Sequence, residues 1–252
     1  YCSIFPSIKK IGDLCFMPSK NPKYRVMIAA GGTGGHVYPA ISIADALGVK
    51  MKQIDIVFVG TKNHMEWLAV PKAGYQIYPI WVSGLQRRFT FFNVLFPLKL
   101  IVSLIQSFWL LRRLKPAVIV SCGGYVAGPV GWMASRFGIP LIIQEQNSFP
   151  GITTRLFANK AYKICIAFEE PNHALGDNTV ITGNPVRKGI GDGNKSNGFH
   201  EFRLKEKNKT IFLFGGSQGS AYLNRLISEV AEKISDGGIQ LLWQTGDLEF
   251  LK

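Results

Sequence analysis

The sequence predicts an α/β protein of two Rossmann-like domains with parallel sheets, the second incomplete in this chain. Three observations predict it. Short apolar, β-branched runs alternate with amphipathic stretches from residue 24 onward. A polar, glycine-rich break interrupts this pattern at 189–208 (GIGDGNKSNGFHEFRLKEKN), after which it restarts. Each half opens with a strand that runs into a glycine loop and then a helix. Near-continuous apolar strands separated by helices are the mark of a parallel sheet covered on both faces.

In the first half, strands are expected at 25–30 (RVMIAA), 55–59, 76–80, 117–120, 140–143 and 164–167. Helices are expected near 39–47, 94–114, 129–137 and 152–159, with Pro39 in the first turn of the first of them. The second half offers a strand at 210–214 (TIFLF), a helix at 222–234 and a strand at 240–244. This gives a tail at 1–23, a first domain at 24–185 and the start of a second at 186–252. The chain begins with Tyr1, and Met17 stands just before a short polar lead-in, so residues 1–16 are expected to lie upstream of the true start.

With 47% hydrophobic and only 18% charged residues, the composition excludes a disordered chain. Twenty-nine basic against 16 acidic residues give a formal charge of +13, which favours anionic partners. No aromatic–basic nucleic-acid motif accompanies that charge, so no nucleic acid is expected among the partners. The four cysteines (Cys2, Cys15, Cys122, Cys165) are too scattered for a zinc site and are expected to be free thiols.

The glycine loops carry the chemistry. The first is 31–36 (GGTGGH) and the second 215–220 (GGSQGS). Glycines admit a close ligand, and the helix start behind each loop offers unpaired N–H groups suited to phosphate. Thr33, Ser217 and Ser220 add hydroxyls. Neither loop has the Lys-Ser/Thr of a P-loop. The strand at 55–59 ends Val59-Gly60-Thr61-Lys62, without the acid that a dinucleotide fold places on the ribose. In an open parallel sheet, ligands gather beyond the carboxyl ends of the strands. His36, Tyr125, Glu145 and Asn147 all fall at such ends, bringing a base, an acid and an amide to one rim as a sugar site requires.

GGTGGHxxPA, the GGY…GP segment from 123, the EQN segment at 145–147 with its following PG, GNPVR at 183–187 and GGSQGS, in that order and spacing, resemble the MurG family of peptidoglycan glycosyltransferases. The resemblance runs from about Arg25 to Gly246 and implies the GT-B architecture, with transfer of GlcNAc from UDP-GlcNAc to the MurNAc C4 hydroxyl of lipid I to form lipid II. It puts Thr33, Gly34 and Gly35 at the substrate site, Asn147 on the donor sugar, and Arg187 and Ser217 at donor-binding positions. His36 matches a histidine proposed as base in the family, with binding of the acceptor diphosphate as its competing role. Tyr125 and Glu145 match sensitive positions, and Glu145 is the second candidate base. Gln144 replaces a histidine common in the family, so no acid–base role falls there. The family's uracil-contacting segment, ribose-binding acid and glutamine pair lie beyond Lys252, so the 252-residue chain is expected not to transfer sugar. No D-x-D occurs, so a metal-independent reaction without cofactor is expected, and the resemblance implies that it is inverting. Another GT-B nucleotide-sugar transferase and a non-catalytic subunit of a split transferase are the alternatives.

A lipid acceptor demands access to a membrane. The stretch 91–111 (FFNVLFPLKLIVSLIQSFWLL) is strongly apolar but carries Asn93, Pro97, Lys99 and Gln106, against a spanning helix. Two readings remain: a helix packed on the sheet, or an interfacial element in which Phe91, Phe92, Leu95 and Phe96 enter the lipid while Arg87 and Arg88 meet anionic headgroups. The resemblance favours the second, with peripheral attachment to the cytoplasmic face of the bacterial inner membrane.

Overall fold

The computed structural model describes residues 24–51, 53–84, 95–169, 175–216 and 219–246. The chain divides into two compact units between Lys188 and Gly189, so Arg187 packs with the first unit.

The first unit holds a seven-stranded sheet: β1 (Tyr24–Ala29), β2 (Ile54–Gly60), β3 (Gln76–Pro79), β4 (Val118–Ser121), β5 (Leu141–Glu145), β6 (Lys163–Ile166) and β7 (Thr179–Ile181). Its order is β3-β2-β1-β4-β5-β6-β7, and every pairing is parallel. The chain therefore winds outward from β1 in one direction, returns, and winds outward from β4 in the other. The crevice between the ends of β1 and β4 is the switch point where such sheets bind ligands.

The helices are α1 (Gly34–Lys50), α2 (Glu66–Lys72), α3 (Phe96–Leu114), α4 (Ala127–Phe137) and α5 (Ile152–Phe157). Alternate strand residues feed two cores, as the two-residue period of a strand dictates. Val26, Ile28, Ile56 and Phe58 pack with Val37, Ala40, Ile41 and Ala44 of α1 and Val70 of α2. Met27, Ala29, Val57, Val59, Ile119, Leu141 and Ile143 pack on the other face with Leu111 and Leu114 of α3, Val130 and Ala134 of α4, and Phe157 of α5.

Several expectations are corrected. Helix α1 begins at Gly34, so Pro39 lies in its second turn, where its missing N–H leaves the Gly35 carbonyl without a helical donor. Helix α2 and strand β7 were not expected; both are short, and α2 contains Pro71. In the second unit, the expected linker holds α6 (Lys195–Glu201), started by Asn194, whose side chain accepts from the Asn197 N–H. The single helix expected at 222–234 is two, α7 (Ala221–Ser228) and α8 (Ala231–Asp236). They accompany a parallel pair, β8 (Thr210–Phe214) and β9 (Gln240–Gln244).

Helix α3 packs in an unusual sense. Its buried positions include Ser103 and Ser107, while Leu98, Ile101, Ile105 and Trp109 are 51–66% exposed. A core-facing helix normally buries the large apolar residues and shows water the small polar ones. Packing on the sheet therefore accounts for only one side of this helix. Among the described residues no helix is long and apolar enough to cross a membrane.

Candidate functional site

The first glycine loop leaves β1 and is fixed from below. Glu66, in the first turn of α2 and fully buried, accepts from the Gly32 N–H at 3.1 Å, the Thr61 N–H at 3.1 Å and the Thr61 hydroxyl at 2.5 Å. A Cβ on Gly31 would stand 2.7 Å from the Glu66 Oε1 and 2.9 Å from Val126. The first glycine thus makes room for a carboxylate and a valine, and the Gly32 amide is not available to phosphate. The Gly34 and Gly35 N–H groups at the start of α1 have no hydrogen-bond partner among the described residues. Thr33, at the N-cap, makes no side-chain cap; its hydroxyl lies 3.1 Å from the His36 Nδ1.

The loop after β4 closes over this one. Gly124 has φ +80°, and any side chain there would overlap the Gly31 carbonyl. Gly123 lies under the His36 ring, its ideal Cβ position 2.7 Å from the His36 Cδ2. Tyr125 is 53% exposed and borders Gly84 and Gly32. Burial pushes the His36 imidazole below its ordinary value of 6.5, while the Glu145 and Glu66 carboxylates and the Gly31 carbonyl offset part of that.

The third segment follows β5. The Glu145 Oε1 accepts from the backbone and side-chain amides of Asn147 at 3.1 and 2.9 Å. Its Oε2 accepts from the Gly151 N–H at 2.9 Å and the Thr154 hydroxyl at 2.6 Å. Burial alone would raise this carboxyl; the donors from Thr154, Gly151 and Asn147 outweigh it and hold the group below its ordinary value. A carboxylate has about four lone-pair sites, and here all four are taken by neighbours. None remains for a substrate hydroxyl, which weighs against Glu145 as the second candidate base.

Other contacts stitch the rim together. The Gln146 side chain donates to the Cys122 carbonyl at 2.9 Å, and the Asn184 amide donates to the Gln146 carbonyl at 3.3 Å. The Arg187 guanidinium lies over the Tyr38 ring, 4.5 Å from its centroid. Gly34 borders the same ring, so Arg187 stands beside the first turn of α1. Thr33, His36, Tyr125, Glu145, Asn147 and Arg187 are thereby brought to one end of the sheet. Ser217, expected to bind donor, lies outside the described residues, as do Arg87, Arg88, Phe91 and Phe92. Ser220 caps α7, accepting from the Leu223 N–H at 3.4 Å. Among the described residues no three His, Cys, Asp or Glu side chains group as metal ligands.

Sequence reasoning missed Glu66. Its one signal was an acid five residues past the strand-end Thr61, in a stretch not recognised as helical.

Residues 26–166 match the Glycosyltransferase family 28 N-terminal domain, over half of the chain, and residues 210–252 match the Glycosyltransferase family 28 C-terminal domain. The chain belongs to glycosyltransferase family 28. Within family 28 it is similar to the UDP-N-acetylglucosamine--N-acetylmuramyl-(pentapeptide) pyrophosphoryl-undecaprenol N-acetylglucosamine transferase of Flavobacterium psychrophilum, 42% identical over 231 residues, covering 90% of this chain and 63% of that protein. The protein of the same name from Christiangramia forsetii is 42% identical over 229 residues, with the same coverage. This chain thus spans 63% of the length of these family 28 relatives. Among solved structures, Acinetobacter baumannii MurG superimposes with a TM-score of 0.63 at 27% identity, covering 90% of this chain and 59% of that one. The UDP-GlcNAc 2-epimerase of Neisseria meningitidis, bound to UDP-GlcNAc, gives 0.56 at 14% identity, over 90% of this chain and 74% of that one, and so shares the fold alone. The α/β, GT-B fold class expected from the sequence is the one these comparisons show.

Proposed function

We propose that this chain carries the acceptor-binding domain, and the start of the donor domain, of a transferase that moves GlcNAc from UDP-GlcNAc to lipid I and forms lipid II. The observation that carries the reading is the assembly of His36, Tyr125, Asn147 and Arg187 at the β1/β4 switch point of a family 28 domain.

In this reading the Gly34 and Gly35 N–H groups and Thr33 receive the acceptor diphosphate, where a helix start favours anions. The MurNAc C4 hydroxyl attacks the anomeric carbon of the donor. A carbon–oxygen bond forms there as the bond to the UDP oxygen breaks. His36 takes the hydroxyl proton: its lowered pKa keeps the ring neutral at pH 7, which suits a base better than a cationic diphosphate binder. Charge growing on the departing diphosphate is met by the Arg187 guanidinium beside the first turn of α1. Asn147 has one side-chain N–H on Glu145 and keeps its other N–H and its carbonyl for a sugar. Glu145 anchors that loop and does not take the proton.

The membrane attachment belongs to the same proposal. The exposed face of α3 joins Met133 of α4 around an open apolar hollow of about 250 Å³ lined by Ile101, Leu104, Ile105 and Phe108. Arg112 and Arg113 end the helix, exposed to solvent. An apolar face edged by cations suits an anionic lipid surface. Leu95 and Phe96 lead into this face and extend it.

The test is titration of the 252-residue chain with a short-chain lipid I analogue. Saturable binding that is lost in Thr33→Ala supports the acceptor reading; equal binding by wild type and Thr33→Ala contradicts it.

A further inference from the structure

We infer that Glu66 is a positioning residue for the His36 loop, holding through the Gly32 N–H the backbone on which Thr33, Gly34, Gly35 and His36 are displayed. The inference rests on the acceptor reading of that loop.

Glu66 is fully buried, and the Arg25–Asp55 ion pair lies elsewhere in the fold. The compensation for burying its charge is three hydrogen bonds, two to Thr61 and one to Gly32. An apolar side chain of similar volume would fill this space without the desolvation cost of a carboxylate. The surroundings are nonetheless shaped for it. Gly31 follows β1 and Gly60 ends β2, and a Cβ at either would come within 2.7 Å of the Glu66 side chain. Two strand ends thus give up their side chains to seat one acid.

The seat has a consequence for the site. Oε1 is held by Thr61, which aims Oε2 at the Gly32 amide. With that amide turned inward and Gly32 at φ +91°, the next residues face outward, and the Thr33 hydroxyl reaches the His36 ring. The same carboxylate sets a negative charge behind His36 from α2, as Glu145 does from β5.

The test uses NMR on the 252-residue chain as wild type, E66Q and T61V. E66Q keeps the shape, but whichever way its amide sits one backbone N–H, of Gly32 or of Thr61, faces a donor, and the Gly32 contact loses its charge. T61V removes one bond to the carboxylate and leaves the Gly32 bond in place. Both variants are expected to melt lower than wild type, as any structural role would require. E66Q alone is expected to speed exchange of the Gly32 amide by roughly tenfold or more, the loss of a charge-assisted bond, and to make His36 titrate at lower pH. An E66Q that melts lower while Gly32 exchange and His36 titration match wild type overturns the inference. Should E66Q fail to fold, E66D decides: it keeps the charge but withdraws it by one methylene, and unchanged Gly32 exchange overturns the inference equally. Binding of the lipid I analogue to wild type is measured beside these. Its absence defeats the acceptor reading, whereas the Gly32 and His36 signals need no ligand and still decide the role of Glu66.

Discussion

Replacing Glu145 by glutamine keeps the shape of the side chain and exchanges one acceptor oxygen for a donor. The four donors around the carboxylate are the Asn147 N–H and side-chain amide on one oxygen and the Gly151 N–H and Thr154 hydroxyl on the other. The Thr154 hydroxyl can turn and accept, but neither backbone N–H can. Whichever way the amide sits, one buried N–H faces another donor, and the remaining bonds lose their charge. A bond to a charged group contributes about 1.5–3 kcal/mol, so E145Q should cost about 2–4 kcal/mol in all. At 4% exposure solvent screens little of this. In a chain of this size the melting temperature should fall by roughly 4–16 °C. The sign of the pH dependence follows from the folded value lying below the ordinary 4.5. The contribution is fully present above 4.5 and is lost as pH falls through the folded value. The gap between wild type and E145Q, read from urea melts, should therefore be widest at pH 7 and close in acid. A gap under about 0.5 kcal/mol at pH 7, or one that ignores pH, refutes the anchor and reopens Glu145 as a proton acceptor.

Three further outcomes are expected. His36 has a folded value below 6.5, so the unfolded chain binds more protons between the two; stability that is full above 6.5 should decline as pH drops through that window and level off beneath it. Urea melts of H36N should lack this slope, and identical slopes contradict the assignment. Gly31→Ala drives a Cβ against the Glu66 Oε1 and Val126, so denaturant melts should show a loss of about 1–3 kcal/mol, and a neutral effect contradicts the packing. Reversing Arg112 and Arg113 to glutamate should weaken binding to anionic vesicles by roughly tenfold or more, since each cation near such a surface contributes about 1 kcal/mol. I101D should weaken it through the apolar face, and sedimentation with vesicles that shows both variants bound as wild type contradicts the membrane reading.

The strands were legible because a strand buried on both faces reads as an apolar run, and β1, β2, β4 and β5 are such strands. Strand β7, with two half-buried residues and one exposed at the sheet edge, carries no such signal. Helix α2 is too short, with a proline inside, for periodicity to reveal it. Helix α3 was found in place, but its hydrophobicity could not say which side meets the core. Only packing shows Ser103 and Ser107 inward and Ile101 and Trp109 outward. In the site, His36, Glu145 and Asn147 were legible as polar residues at strand ends. The use made of Glu145 was not, since its four donors come from residues 147–154 in a loop and helix whose closure is a property of the fold. Glu66 escaped for a related reason: two of its three donors are backbone N–H groups, which every residue but proline carries.

The central claim is that the first unit binds lipid I for GlcNAc transfer, and a chimera tests it most directly. Residues 24–188 of this chain, joined to the C-terminal domain of the Flavobacterium psychrophilum relative, are assayed with radiolabelled UDP-GlcNAc and a short-chain lipid I analogue. Labelled lipid II is expected from the chimera and none from its His36→Ala variant. A folded chimera that binds UDP-GlcNAc yet yields no labelled product would contradict it.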